Sequence, residues 1–376
     1  MAVERSKLRG NEMKRGFIAS AAIAVPMIAA LGSAVMAAGT EPSVISEAKA
    51  YVEKVSAMPG AWPGPKTSPT VAKGKSVTII SCAQASNCSV DAQSAYEAAL
   101  ELGWTPTIVD GKGDPSLYNA ALRSATNAKA DGIIDISLPS ALIQDGLRYA
   151  TQHKIPVINA ADIISKDPLI FGSVEHQWTD QGVMLGKWII ADSDGKAGVI
   201  ILRDDEFPGV KERQDNVSKV LATCGGCKVL DEVGLTIQQA TNPSVMQQQV
   251  QSLLARFGKD ATYIVAPFGT VDGLVVPALR AAGRSEVKVV GYDGNKQQMQ
   301  LCQQGKVNAI AVTMLAWTGW GAVDQLNRAF NGEKAAPQAV PAFLMTKQTC
   351  TGSGMAEDVS TFDYKAEYRK LWGIAK

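Results

Sequence analysis

Net charge is almost absent from this chain: Lys and Arg number 37 against 36 Asp and Glu, a formal +1 over 376 residues. That balance supplies no bulk attraction toward nucleic acid or an anionic membrane surface. Charged residues make up only 19% of the chain and hydrophobic ones 46%, which argues against long disorder. Histidine is scarcer still. The two present, His153 and His176, leave little room for an imidazole mechanism or a metal site, and each is expected to be a surface or satisfied core residue. No Gly-x-Gly-x-x-Gly leads from a strand into a helix, and neither Gly-x-Ser-x-Gly nor His-Glu-x-x-His occurs. Gly74-Lys75-Ser76 imitates the tail of a phosphate loop, but Pro69 stands where the first glycine belongs and the tripeptide precedes a strand. Paired acids such as Asp204-Asp205 sit on a loop and could be catalytic, but adjacent carboxylates are usually solvated. An enzyme, a cofactor and a metal centre are therefore not expected.

The N-terminus carries a different message. Arg5, Lys7, Arg9, Lys14 and Arg15 form a basic head, and 17–31 is an Ala/Ile-rich apolar core broken only by Ser20 and Pro26. Gly32, Ser33 and Val35-Met36-Ala37 supply small residues for cleavage, so residues 1–37 are read as a secretory signal peptide, with Met13 an alternative start. The core is too short for a comfortable membrane span, and no later run of about 18 apolar residues follows. The mature chain is expected in the periplasm, as a monomer without a nucleic-acid partner.

All six cysteines (82, 88, 224, 227, 302 and 350) lie in the mature region, and an even count in an exported chain favours disulfides. Proximity in sequence pairs Cys82 with Cys88 and Cys224 with Cys227, leaving Cys302 for Cys350. Cys224-Gly225-Gly226-Cys227 could also be a redox or zinc motif, but zinc would need a second ligand pair.

Residues 38–74 read as a helix over 44–57 followed by the stiff linker Pro59-Gly60-Ala61-Trp62-Pro63-Gly64-Pro65. Beyond 75 the chain alternates. Strand patterns at 77–80, 107–109, 132–136 and 156–159 are separated by helical ones at 91–102, 115–129 and 139–152. The second half repeats this: strands at 197–202, 228–233, 263–266, 287–291 and 309–313, helices at 209–222, 243–258, 271–282 and 295–304. Short apolar strands alternating with longer helices imply right-handed βαβ units. The fold class is α/β, two doubly wound parallel-sheet lobes whose ligand should sit at the carboxyl ends of the strands.

Several segments then resemble one family. Val289-Val290-Gly291-Tyr292-Asp293-Gly294, Gly305, and 309–313 ahead of a 317–331 helix are similar to the second-lobe end of the periplasmic sugar-binding family. These are the type I solute-binding components of ABC importers, akin to ribose-binding proteins. Glu101-Leu102-Gly103, Ala130-Asp131-Gly132-Ile133-Ile134, Ile155-Pro156-Val157-Ile158 and the 278–283 helix end match as well, so the resemblance covers about 75–335. It implies three crossings between lobes, near 175, 314 and 341, forming a hinge. The first lobe would be 75–175 plus 315–340 and the second 176–314 plus 341–376. Binding would favour closure, and importer membrane subunits would read the closed form.

The resemblance also places ligand residues, and there it thins. The family's hinge-side Asp matches Asp293 and its second-lobe Arg matches Arg213. The expected Asp-Arg pair falls on Ala161-Asp162, the second-lobe Asn on Phe268, and the Gln before the crossing on Thr313. The first loop, where sugar binders carry Asn and paired Phe, reads Ser81-Cys82-Ala83-Gln84-Ala85-Ser86-Asn87-Cys88. A site built for several sugar hydroxyls does not lose such partners cheaply. Trp178, Trp317 and Phe268 offer flat faces for a sugar ring or a planar conjugated ligand. Arg203 and Arg213 could hold carboxylates with forked donors, though Arg203 can equally pair with Asp204 or Glu206. The candidate ligand residues are thus Asp293, Arg213, Trp178, Trp317, Phe268, Gln84, Asp162 and Arg203. The ligand is expected to be a carbohydrate or polyol, or else a planar aromatic anion such as pyrroloquinoline quinone. A sensory module that presents ligand to a receptor is the rival role.

Overall fold

The computed structural model describes residues 41–58, 60–163, 166–359 and 363–374; the segment read as a signal peptide lies outside them. Among the described residues no helix is long and apolar enough to cross a membrane.

A helix α1 (Glu41–Val55) and an extended linker precede the first βα series. That series is β1 (Ser76–Ser81), α2 (Cys88–Glu101), β2 (Thr105–Asp110), α3 (Pro115–Asn127), β3 (Gly132–Ile136), α4 (Gln144–Gln152), β4 (Val157–Asp162) and β5 (Gly172–His176). The second runs α5 (Trp178–Asp192), β6 (Gly198–Arg203), α6 (Pro208–Leu221), β7 (Lys228–Gly234), α7 (Ile237–Ala240), α8 (Pro243–Phe257), β8 (Tyr263–Val265), α9 (Gly269–Ala281), β9 (Lys288–Asp293), α10 (Lys296–Gln303) and β10 (Ala309–Thr313). The chain closes with α11 (Leu315–Phe330), β11 (Ala339–Val340), β12 (Ala342–Thr346) and α12 (Tyr364–Leu371).

Two six-stranded sheets result, ordered β11-β5-β4-β3-β1-β2 and β12-β10-β9-β8-β6-β7. Every pairing is parallel except β10 with β12. Covered on both faces by helices, β3 and β10 are buried along their whole length, as their Ile- and Val-rich composition requires. Local chemistry starts the helices: Asp114 caps α3 ahead of Pro115, Asn242 caps α8 ahead of Pro243, and Asn295 caps α10. The three disulfides Cys82–Cys88, Cys224–Cys227 and Cys302–Cys350 are formed, so Cys224–Cys227 is a bridge and not a metal or dithiol motif.

The chain crosses between lobes at 176–178, 313–315 and 340–342, and it does so twice more, after α1 and before α12. Helix α1 packs against α5 of the second lobe, burying Val44 and Ala48, whereas the following linker lies on the first. There Trp62 stacks on Trp317 with ring centroids 4.7 Å apart, Ala72 N donates to Asn327, and Trp104 donates to the Ala72 carbonyl. The tail does not stay with the second lobe, where the domain assignment puts 341–376. Strand β12 does belong there, but α12 returns to the first lobe: Trp372 stacks on Trp320, and Arg369 and Lys365 pair with Glu101 and Glu97 of α2. An aromatic cluster of Trp62, Trp317, Trp320, Tyr368 and Trp372 thus ties the linker after α1 and the helix α12 to the first lobe's α11.

Candidate functional site

Between the lobes lies a cleft. Its first-lobe wall is built from the β1–α2 loop, where the Cys82–Cys88 bridge ties off a turn that leads Asn87 and Asp91 into the start of α2. Ser137 after β3, and Ala161 and Asp162 closing β4, complete that side. His176 and Trp178 line the hinge. The second lobe supplies Phe207, Gly209 and Arg213 from the α6 region, Ile237 from α7, Phe268 ahead of α9, and Asp293 at the end of β9.

Three of these non-glycine residues hold left-handed backbone: Ser137 at φ 56°, Ala161 at 60° and Asp293 at 91°. Each costs about 1–3 kcal/mol, and each sits at a strand's carboxyl end facing the cleft. Gly209 is needed for closeness, since a Cβ there would stand 2.4 Å from the Trp178 ring.

Asp293 organises the centre. Its Oδ1 accepts from Arg213 Nη1 at 2.9 Å, and its Oδ2 accepts from Gly269 N at 2.9 Å and from Asn87 Nδ2 at 2.6 Å. Asn87 in turn accepts from Thr270 Oγ1 and Asn295 Nδ2, so one first-lobe side chain meets three second-lobe groups. Arg213 is fully engaged at its fork. Nη1 also donates to Gln181, Nη2 donates to the Pro267 carbonyl, and the guanidinium lies over Tyr292 and Trp178 at 4.1 and 5.1 Å. At the hinge, His176 Nε2 shares a 2.8 Å hydrogen bond with Thr318 Oγ1, and Gln181 donates to Thr313.

Burial sets the protonation states. It pushes Asp91 well above the usual carboxylate range, with like charge from Asp293 and Glu357 adding to it. Asp162 rises to about 6 for the same reason, opposed by hydrogen bonds from the backbone of Ile163 and Gly209. His176 falls to about 3, also through burial, and is neutral at physiological pH. Four buried atoms around the cleft have no protein partner: Asp91 Oδ1, His176 Nδ1, Trp178 Nε1 and Arg213 Nε. Buried polar atoms are normally satisfied, so these are where a ligand's polar groups are wanted.

Of the eight residues singled out from sequence, Asp293, Arg213, Trp178, Phe268 and Asp162 line this cleft and three do not. Trp317 is fully buried in the aromatic cluster, its indole donating to Tyr368. Arg203 points away and is ringed by Asp205, Asp215 and Glu232 instead of Asp204 or Glu206. Gln84 lies in a separate surface groove beside Lys112, Gln238 and Thr241. The sequence reading missed Asn87, Asp91, Phe207 and His176. Asp91 was findable, being one helical turn after Asn87 in the loop already under comparison. His176 is neither a surface residue nor a satisfied core one, because it is a buried residue of the cleft lining whose Nδ1 has no partner.

A hinged pair of parallel-sheet lobes with a polar, aromatic-walled cleft between them defines a two-lobed solute-binding protein. The chain belongs to the periplasmic binding protein domain family, whose model matches residues 80–334. It is 25% identical over 262 residues to the ribose import binding protein RbsB of Salmonella typhimurium, covering 68% of this chain and 84% of that protein. RbsB of Escherichia coli K12 matches at the same identity and extent. Among solved structures, an Agrobacterium vitis ABC transporter solute-binding protein with bound allitol superposes with TM-score 0.66 at 22% identity, covering 74% of this chain and 97% of that one. The Caulobacter myo-inositol binding protein superposes at TM-score 0.67 and 17% identity, covering 75% and 96%. The fold is that of the type I periplasmic binding proteins, and the matched relatives are binding proteins, not enzymes.

Proposed function

We propose that this protein is an exported solute-binding component that captures a small polyhydroxylated ligand in the interlobe cleft and presents it to the membrane subunits of an ABC importer. The observation that carries this reading is the set of unpartnered atoms in the cleft, which mixes donors (Trp178 Nε1, Arg213 Nε) with an acceptor (Asp91 Oδ1). A hydroxyl both donates and accepts, so a polyol can meet such a mixture. Trp178, Phe207 and Phe268 supply apolar faces for its carbon skeleton. The Asn87 contacts across the cleft support a mechanism of lobe closure without bond chemistry.

A planar aromatic anion is the weaker reading. Its carboxylates would need a free guanidinium fork, but Arg213 is held by Asp293, Gln181 and Pro267 and Arg203 lies outside the cleft. Asp91 and Asp162 would also face such a ligand with acid groups. Thermal melts with pentoses, hexoses, linear polyols, inositols and pyrroloquinoline quinone test the choice. A ligand at about a thousandfold its Kd stabilises by roughly 4 kcal/mol. A shift with a polyol supports the reading, and a shift with the quinone alone overturns it. Delivery is tested by uptake of the identified ligand in cells with and without this protein. Unchanged uptake alongside co-purification with a receptor would favour the sensory role.

A further inference from the structure

We propose that the ligand carries a protonated amine as well as hydroxyls, and that Asp91, assisted by Asp162, is its counter-ion. This rests on the cleft being the ligand site, and it narrows the ligand class from polyols in general to amino-polyols and amino sugars.

The argument begins with charge pairing. The ionisable groups lining the cleft are Asp91, Asp162, Asp293, Arg213 and His176. Arg213 and Asp293 are matched to each other, and His176 is neutral. Two carboxyls, Asp91 and Asp162, therefore remain, and among the described residues neither has a salt-bridge partner. The groups that face Asp91 from other elements make this sharper. Asp293 at the end of β9 and Glu357 in the tail are both acids, while Thr318 on α11 offers only a hydroxyl. A cation beside Asp91 would offset the like charge that Asp293 and Glu357 bring to bear on it.

Burial and geometry support the same occupant. Asp91 is only 2% exposed, and its Oδ1 has no partner. An ammonium offers three donors to such an oxygen, and a charge-assisted bond there is about twice as strong as one from a neutral hydroxyl. Trp178, Phe207 and Phe268 also line the cleft, and aromatic rings attract a cation placed over them. Burial makes Asp91 hold a proton more tightly than an exposed carboxyl does, and a neutral polyol does nothing to loosen that hold. A cation instead draws the proton off, so binding and proton release are coupled.

The test uses matched ligands and calorimetry on the mature protein. The probes are glucitol, 1-amino-1-deoxyglucitol and gluconate, with glucose, glucosamine and glucuronate as a cyclic set. Each is titrated at pH 7 in two buffers of different ionisation enthalpy. The expected result is that the amines bind at least about tenfold more tightly than their hydroxyl partners, and that they alone release protons. In Asp91→Asn the amine-to-hydroxyl affinity ratio should collapse toward one, with Asp162→Asn reducing it less. Melting of each variant without ligand checks folding. If hydroxyl compounds bind as tightly as the amines, or amines bind without proton release, the amine proposal falls and the polyol reading stands. If only the carboxylates bind, the polyol reading falls and takes this proposal with it.

Discussion

Asn87 of the first lobe reaches across the cleft to donate to Asp293 of the second at 2.6 Å. Because the same amide accepts from Thr270 and Asn295, its removal frees three interlobe hydrogen bonds at once. Each is worth about 1 kcal/mol, more where a carboxylate is involved. Asn87→Ala should therefore shift the lobes toward the open form and weaken ligand binding by at least about tenfold. Small-angle scattering of the free variant would show an increased radius of gyration, and unchanged scattering would count against the latch.

Arg213 and Asp293 form an ion pair in which both side chains are almost wholly buried. Removing one partner of such a pair strands the other charge. Arg213→Met should lower unfolding stability by about 3–5 kcal/mol and abolish binding. Urea denaturation at pH 7 measures the first and calorimetry the second.

Glu357 gives a pH signature. Burial raises its carboxyl from 4.5 to about 7, although it accepts a hydrogen bond from Ala316 N, and Oε2 has no partner. The folded protein holds this proton more tightly than the unfolded chain does. The resulting stability is complete below about pH 4.5 and is lost as the pH rises through 7. Glu357→Gln, which keeps the acceptor and cannot ionise, should be more stable to unfolding than the parent at pH 8, by on the order of 3 kcal/mol at most. The gain should vanish by pH 4. His176 runs the other way: burial depresses it to about 3, so its share is present above 6.5 and fades toward acid.

The disulfides should differ in worth because they close loops of different length. Cys82 and Cys88 are six residues apart, Cys302 and Cys350 forty-eight. On chain-entropy grounds the short bridge contributes about 2 kcal/mol and the long one about 4. Paired Cys→Ser variants compared by denaturation would check this ordering. Only loss of Cys82–Cys88 should also weaken ligand binding, since that bridge shapes the turn leading to Asn87 and Asp91.

The parallel strands were legible because burial on both faces favours short runs rich in Ile, Val, Leu and Ala, as in β3, β6 and β10. Strand β5, with the sequence Gly-Ser-Val-Glu-His, carries no such mark and exists through its pairing with β4 and β11. At the site, the family resemblance placed Asp293, which closes β9, and Arg213, which lies within α6. Arg203 and Trp317 could not be placed, since local pattern does not say which side of an element faces a neighbour. Trp317 turns away from the cleft to meet Trp62, a contact 255 residues distant in sequence that no periodicity reveals.

Helix α1 rides on the second lobe, and α12 rides on the first. Fluorophores attached to exposed positions of these two helices would therefore sit on opposite jaws of the same molecule. Energy transfer between them would convert lobe movement into an optical signal, making this chain a ready scaffold for a ligand sensor whose labels never touch the cleft.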